Sequence, residues 1–455
     1  MVHTTHTLGA LALFLATSAA TAQWQLASPA QSPQALSGHG MTFHPPSASA
    51  LLFGGYAGFS ASNQTWSYDG ATWTLLAPTN SPTAKAGVEL VYDAARGVVV
   101  MYGGMNTSFF GGPSVDQTWE FDGATWTQVF PVTTPGGLGN YGACYDSSRS
   151  RYVLYGGSDN SFFPIAVSGT WEWNGTNWAL VATATSPGPL ERPAMCFHAG
   201  IGRTVMFGGI DPQIGGVDTT WLYDGTNWSA APVTGSRPAV RTGAKMVYDN
   251  LRGVCVLTGG ADPTNGNAIV DTWEFDGVGW TQVASATTGR ISAGLAYLES
   301  QRRVVQFGGS VPTTGSALAD TWDYSRAAVV GSGCAGSNGT PKLDAAAGPR
   351  LGQNYVQTLA NLNPAIPVAV FVLSVTQLAP TSLAPIGMPG CVAHVSPDVL
   401  LSAPAAAGGS SLTFAVPSSV SLAGISLFAQ GLSLDPGVNA ASLTVSNALD
   451  GRLGS

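Results

Sequence analysis

Trp66-Ser67-Tyr68-Asp69-Gly70-Ala71-Thr72-Trp73 is the stretch whose reading decides the fold. Two tryptophans frame aromatic and hydroxyl side chains, with Asp-Gly at the centre. That dipeptide favours a two-residue type I′ turn, because both central positions need φ > 0. With Asp69 and Gly70 as the turn, Tyr68 faces Ala71, Ser67 faces Thr72 and Trp66 faces Trp73. Such a cross-strand pair stabilises by roughly 0.2–1 kcal/mol relative to an alanine pair. The segment recurs from Trp119 to Trp126, Trp171 to Trp178, Trp221 to Trp228 and Trp273 to Trp280, each with Asp-Gly or Asn-Gly inside.

Moving outward, each segment is preceded by a glycine pair: Gly54-Gly55, Gly103-Gly104, Gly156-Gly157, Gly208-Gly209, Gly259-Gly260 and Gly308-Gly309. Short β-branched or aromatic runs, such as Val98-Val99-Val100-Met101-Tyr102, lead into these pairs. The period of about 50 residues matches four-stranded propeller blades. The pattern resembles the kelch repeat, through its glycine pairs, its later aromatic-plus-Trp element, His39 in Gly38-His39-Gly40-Met41, and the positions of Arg241 and Arg290. The resemblance covers residues 23–330 and implies a six-bladed β-propeller. The Tyr68-to-Trp73 interval is shorter than in typical kelch repeats. Asp-Gly-x-x-Trp also resembles the Asp-box of sialidases but lacks the residue between Asp and Gly, so these segments read as structural turns.

The sixth repeat has Trp322-Asp323-Tyr324 but no turn dipeptide and no second tryptophan. The other end of the chain holds Trp24-Gln25-Leu26-Ala27-Ser28-Pro29, similar to Trp73-Thr74-Leu75-Leu76-Ala77-Pro78. An N-terminal strand bearing Trp24 therefore completes blade six and removes the open edges of the array. Arg326 to Val330 is the alternative source of that strand, but it would leave Trp322 without a partner.

Composition agrees with an all-β chain. Only 9% of the 455 residues are charged, against roughly 25% in an average soluble protein. The net charge is −8 and no basic stripe is present, so nucleic acid is not an expected partner. Residues 1–22 read as a signal peptide, with an apolar core from Leu8 to Leu15 and a small-residue cleavage site at Ala20-Thr21-Ala22. No later segment is apolar for the ~20 residues of a spanning helix. Secretion, to the cell surface, periplasm or medium, is the expected destination. Residues 331–455 shift to Ala, Pro, Ser and Leu and read as a C-terminal β-sandwich-like domain. The pattern around Gly333-Cys334-Ala335-Gly336-Ser337 and Pro389-Gly390-Cys391 resembles a module of secreted bacterial proteins. Of the five cysteines, Cys334 and Cys391 are the expected disulfide, while Cys144, Cys196 and Cys255 lie on apolar strand patterns and read as buried thiols.

The chemistry is less legible. Of the six histidines, His39, His44, His198 and His394 lie beyond the leader, and none pairs at metal-ligand spacing. No metal and no cofactor is expected. Galactose oxidase shares a kelch-type propeller, but its tyrosine and histidine constellation finds no match here. No Gly-x-Ser-x-Gly elbow and no phosphate-binding loop occurs. Asp116, Asp218, Asp271 and Asp320 precede the third strand of their blades and read as turn caps, with calcium ligation as the alternative.

Aligning the innermost strands on Phe43, Tyr92, Tyr145, Phe197, Tyr248 and Tyr297 gives the column Gly40, Glu89, Gly142, Ala194, Lys245 and Gly294. Glu89 and Lys245 stand three blades apart, across the axis. Lys85, Arg192, Arg241 and Arg290 begin these strands and are expected around one rim. Together with His39 they form the candidate ligand site. The expected role is binding of a glycan or protein ligand, since repeat propellers commonly serve as interaction surfaces. Two alternatives stand beside it: a carbohydrate-active enzyme at the channel mouth, as in the kelch-type sialic acid mutarotase, and a structural cell-surface component.

Overall fold

The computed structural model describes residues 24–453, apart from 107–113, 160–164, 286–287, 327, 331–332, 346–347, 350–351, 420–421 and 423–424. The leader expected at residues 1–22 lies outside the described residues. The chain divides into two compact units, Ala22–Ser325 and Arg326–Ser455.

The first unit is a six-bladed β-propeller, each blade a four-stranded antiparallel sheet. In blade two the order from the axis outward is Leu90–Asp93, Val98–Tyr102, Thr118–Phe121 and Trp126–Val129. The second strands are nearly all buried because both faces pack against neighbouring blades, which is why their sequences are continuously apolar. In blade six the strands Gly294–Leu298, Arg303–Phe307 and Thr321–Tyr324 are completed by Trp24–Ala27. Trp24 lies opposite Tyr324, and Leu26 opposite Trp322. The N-terminal strand thus closes the ring, as expected, and Ala328–Val330 pairs instead within the C-terminal unit.

Three concentric sets of hydrogen bonds join the blades, and each runs the full circle. The innermost links Gly38, Gly87, Asn140, Arg192, Gly243 and Ser292. Each donates its N–H to the preceding blade's carbonyl at 2.7–3.2 Å, and all six hold φ between 52° and 67°. Next outward, the second glycine of each pair donates to the following blade at 2.8–2.9 Å, onto the carbonyls of Lys85, Leu138, Leu190, Arg241, Arg290 and Leu36. The first glycine of each pair lies so close to that same carbonyl that a Cβ would come within 2.3–2.8 Å of the oxygen. The glycine pairs are therefore the seams between blades, where only hydrogen fits.

The outermost set is made by the outer-strand tryptophans. Trp73, Trp126, Trp178, Trp228, Trp280 and Trp24 donate their indole N–H groups to Thr321, Thr65, Thr118, Thr170, Thr220 and Thr272 at 2.8–3.0 Å. Each acceptor sits on the third strand of the preceding blade, and the indole packs against that blade's aromatic core, as Trp126 does on Phe53.

The hairpin register departs from the two-residue turn. Tyr68 is opposite Trp73, and Trp66 is opposite Leu75, so Trp66 and Trp73 do not pair. Asp69 Oδ1 accepts from the backbone N–H groups of Ala71 and Thr72 at 2.8 and 2.7 Å. This side-chain turn lengthens the connection to Asp69, Gly70, Ala71 and Thr72. The same cap recurs at Asp122, Asn174, Asp224 and Asp276. The shift places Tyr68 and Trp73 face to face, 4.9 Å between ring centroids.

The C-terminal unit is built on an eight-stranded sheet in the order Ala328–Val330, Leu443–Arg452, Ser426–Leu434, Val368–Ser374, Val399–Ala406, Gly409–Ala415, Asn354–Ala360 and Lys342–Ala345, with Gln377–Ser382 and Val392–Val395 paired beside it. It curls toward a barrel. The Asn447 side chain on one flank bonds both backbone groups of Leu343 on the other at 2.9 Å, bringing the sheet near closure. Leu343, Tyr355, Leu359, Phe371 and Leu449 fill its core. Cys334 and Cys391 are joined in a disulfide.

Candidate functional site

The innermost strands surround a cavity of about 420 Å³ on the propeller axis. Phe43, Tyr92, Tyr145, Phe197, Tyr248 and Tyr297, one from each blade, line it. Each is the fourth residue of its strand's shared pattern, so the repeat itself sets a collar of six aromatic residues. Met41, Met195 and Met246 add apolar wall.

Glu89 and Lys245 meet across the axis as an ion pair, Nζ donating to Oε1. The sequence column explains how they reach: the four other positions are glycine or alanine and leave the centre open. Both side chains keep about a fifth of their surface exposed. The pair lies between the large cavity and a smaller one of about 30 Å³, and it lines both. The smaller cavity is bounded by the innermost hydrogen-bond ring, including Gly38, Gly87, Asn140, Arg192, Gly243 and Ser292. The channel is thus partitioned, and the large cavity is a cup with a charged floor.

His39 stands beside that floor. It lines the cavity, is wholly buried, and packs edge-on against Phe307 at 5.6 Å between ring centroids. Burial, reinforced by the Lys245 charge, pulls its pKa down to about 3. It is a neutral imidazole across the physiological range.

The structure brings Glu89, Lys245 and His39 together at the cup and Arg192 to the far side of the floor. Arg192 holds a left-handed backbone, φ 54°. It does not bring the other cations to a shared rim. Arg241 is fully buried and grips Asp271 with two hydrogen bonds of 2.6 and 3.1 Å. Arg290 grips Asp320 in the same way at 2.8 and 2.9 Å. Lys85, also fully buried, donates to Gln117, and burial lowers its pKa to about 8. In the other blades the equivalent position holds Leu36, Leu138 and Leu190. These three cations bind blades internally because the position points into a blade, where a charge needs a partner.

The aspartates before the third strands are therefore not turn caps. Asp271 and Asp320 are the arginine partners, Asp116 accepts from the Tyr102 hydroxyl at 2.8 Å, and Asp218 pairs with Arg237 at 2.9 Å. Among the described residues no group of three or more His, Cys, Asp or Glu side chains could hold a metal ion. The aspartates ending the inner strands do cap turns. Asp93, Asp146 and Asp249 also hold Arg96, Arg149 and Arg252, which reach on to Glu120, Glu172 and Glu274.

In the sequence the aromatic collar is the column on which the inner strands align. Its signal is an aromatic residue in one column of all six repeats, which core packing alone does not demand.

No protein-family model matches the chain. No curated protein matches it either. Among solved structures, the chain is similar to one described as "Structure of YjhT", with a TM-score of 0.50 and 13% identity over 64% of this chain and 95% of that one. That likeness is one of fold.

Proposed function

We propose that this is an exported, kelch-like propeller that binds the end of a glycan chain in its axial cup. The cup carries the reading: one concave cavity of about 420 Å³, aromatic at the sides and charged at the floor. Cavities of that size with few convergent polar groups are the usual form of small-ligand sites. Aromatic faces suit the apolar faces of sugar rings, while Glu89, Lys245 and neutral His39 offer donors and acceptors for hydroxyl or carboxylate groups. The expected signal peptide at residues 1–22 supports a location where glycans are met.

The test is thermal unfolding of the protein against a panel of neutral and acidic sugars, repeated with Glu89→Gln. A ligand at 100 times its Kd stabilises the folded state by about 2.7 kcal/mol. A shift with one sugar class that Glu89→Gln abolishes is the expected result. Chemical turnover of that sugar would reassign the cup to catalysis. A panel without any shift would overturn the glycan reading and leave a protein ligand at the loops.

A further inference from the structure

Cys196 lies on the inner strand of blade four and Cys255 on the second strand of blade five. Their sulfur atoms are 2.6 Å apart. Two unbonded sulfur atoms in van der Waals contact stand much farther apart, and a covalent S–S bond is about 2.05 Å. Both residues are buried in the apolar core shared by the two blades, among Val205, Phe207, Met246 and Leu257. The third unbridged cysteine, Cys144, is engaged elsewhere, its sulfur 3.4 Å from Thr204 Oγ1.

We propose that Cys196 and Cys255 form a second disulfide, a covalent staple across the seam between blades four and five. Its formation needs an oxidant, a disulfide of the exchange-reactive class such as oxidised glutathione. One cysteine thiolate attacks the donor disulfide, forms a mixed disulfide and expels one donor thiol. The second cysteine thiolate then displaces the other donor sulfur. The two cysteines together give up two protons and two electrons, and the donor is reduced to two thiols.

Burial pushes the Cys196 thiol well above its ordinary value in the finished fold, and a protonated thiol is a poor nucleophile. Exchange therefore belongs to folding, before blade five docks on blade four. Cys196 also lines the axial cup, so the staple fixes one wall of the cavity. With Cys334–Cys391 in the other unit, each unit then has its own disulfide and Cys144 is the odd thiol.

The test is a thiol count on the full chain refolded in a glutathione redox buffer, then denatured and alkylated without reduction. One alkylated cysteine per chain, Cys144, is expected, together with a peptic fragment pair linked through Cys196 and Cys255 and two hydrogens lighter than the free thiols. Three alkylated cysteines, or a link from Cys196 to Cys144, overturns the proposal. Cys144→Ser gives an independent reading: no alkylation supports the staple, and two alkylated cysteines refute it.

Discussion

Trp24 donates its indole N–H to Thr272 at 2.8 Å, joining residues 248 positions apart and completing the outermost ring of blade contacts. Trp73 makes the matching bond to Thr321 at the next seam, between blades one and six.

Truncating Trp24 should therefore behave like damage to a core. Trp24→Ala is expected to lower the unfolding free energy by about 3–5 kcal/mol, since the side chain is 2% exposed. Leu26, two positions along the same strand, is 57% exposed. Leu26→Ala should stay within about 0.5 kcal/mol of the parent. Equal losses in urea unfolding would show that the strand does not close the ring.

Gly103 and Gly58 share a φ of 62° but differ in surroundings. A Cβ at Gly103 would lie 2.3 Å from the Leu138 carbonyl oxygen, whereas at Gly58 nothing lies within 4 Å. Gly58→Ala should cost about 1 kcal/mol, the ordinary penalty for that backbone. Gly103→Ala should cost several times more, because the seam must also part. Similar midpoints for the two variants in denaturant would contradict the close approach.

The buried, neutral His39 makes a pH prediction. Its pKa is about 3 when folded and about 6.5 when unfolded. Between these values the unfolded chain binds more protons, so its contribution is complete above about pH 6.5 and is lost as pH falls toward 3. The difference in stability between the parent and His39→Leu should shrink on acidification across that window by an amount on the order of a few kcal/mol. A difference independent of pH would place His39 in water.

Breaking the floor of the cup should cost less than breaking a core pair, because both partners are partly exposed. Lys245→Met leaves Glu89 without its counter-charge and should destabilise by about 1–2 kcal/mol. The double variant Glu89→Leu with Lys245→Met should recover most of that loss while altering sugar binding. If the double variant is no better than the single one by calorimetry, the two charges are not coupled.

The blade count was readable because every seam repeats the same needs: a glycine pair where a carbonyl comes close, and an indole that reaches the previous blade. The register was not. Asp-Gly suggested a two-residue turn, but the Asp69 carboxylate captures the N–H groups of Ala71 and Thr72 and makes the loop four residues long. The spacing held the hint, since an aromatic residue stands five before each of Trp73, Trp126, Trp178, Trp228 and Trp280. At the site, alignment correctly set Glu89 and Lys245 on opposite sides of the axis. It could not show that Arg241 and Arg290 turn into their own blades, because Asp271 and Asp320 are 30 residues away in sequence.

The ring closed by Trp24–Ala27 makes the propeller sensitive to whether its chain is whole. During synthesis this strand emerges first and its neighbour Thr321–Tyr324 emerges last among the blades. Until then the early strand has no sheet to join, and blade one lacks the threonine that receives Trp73. A chain cut short before blade six would leave both faces of the final seam open, as exposed strand edges prone to aggregation. The first strand and the last blade thus work as a completeness check, and only a finished copy can latch.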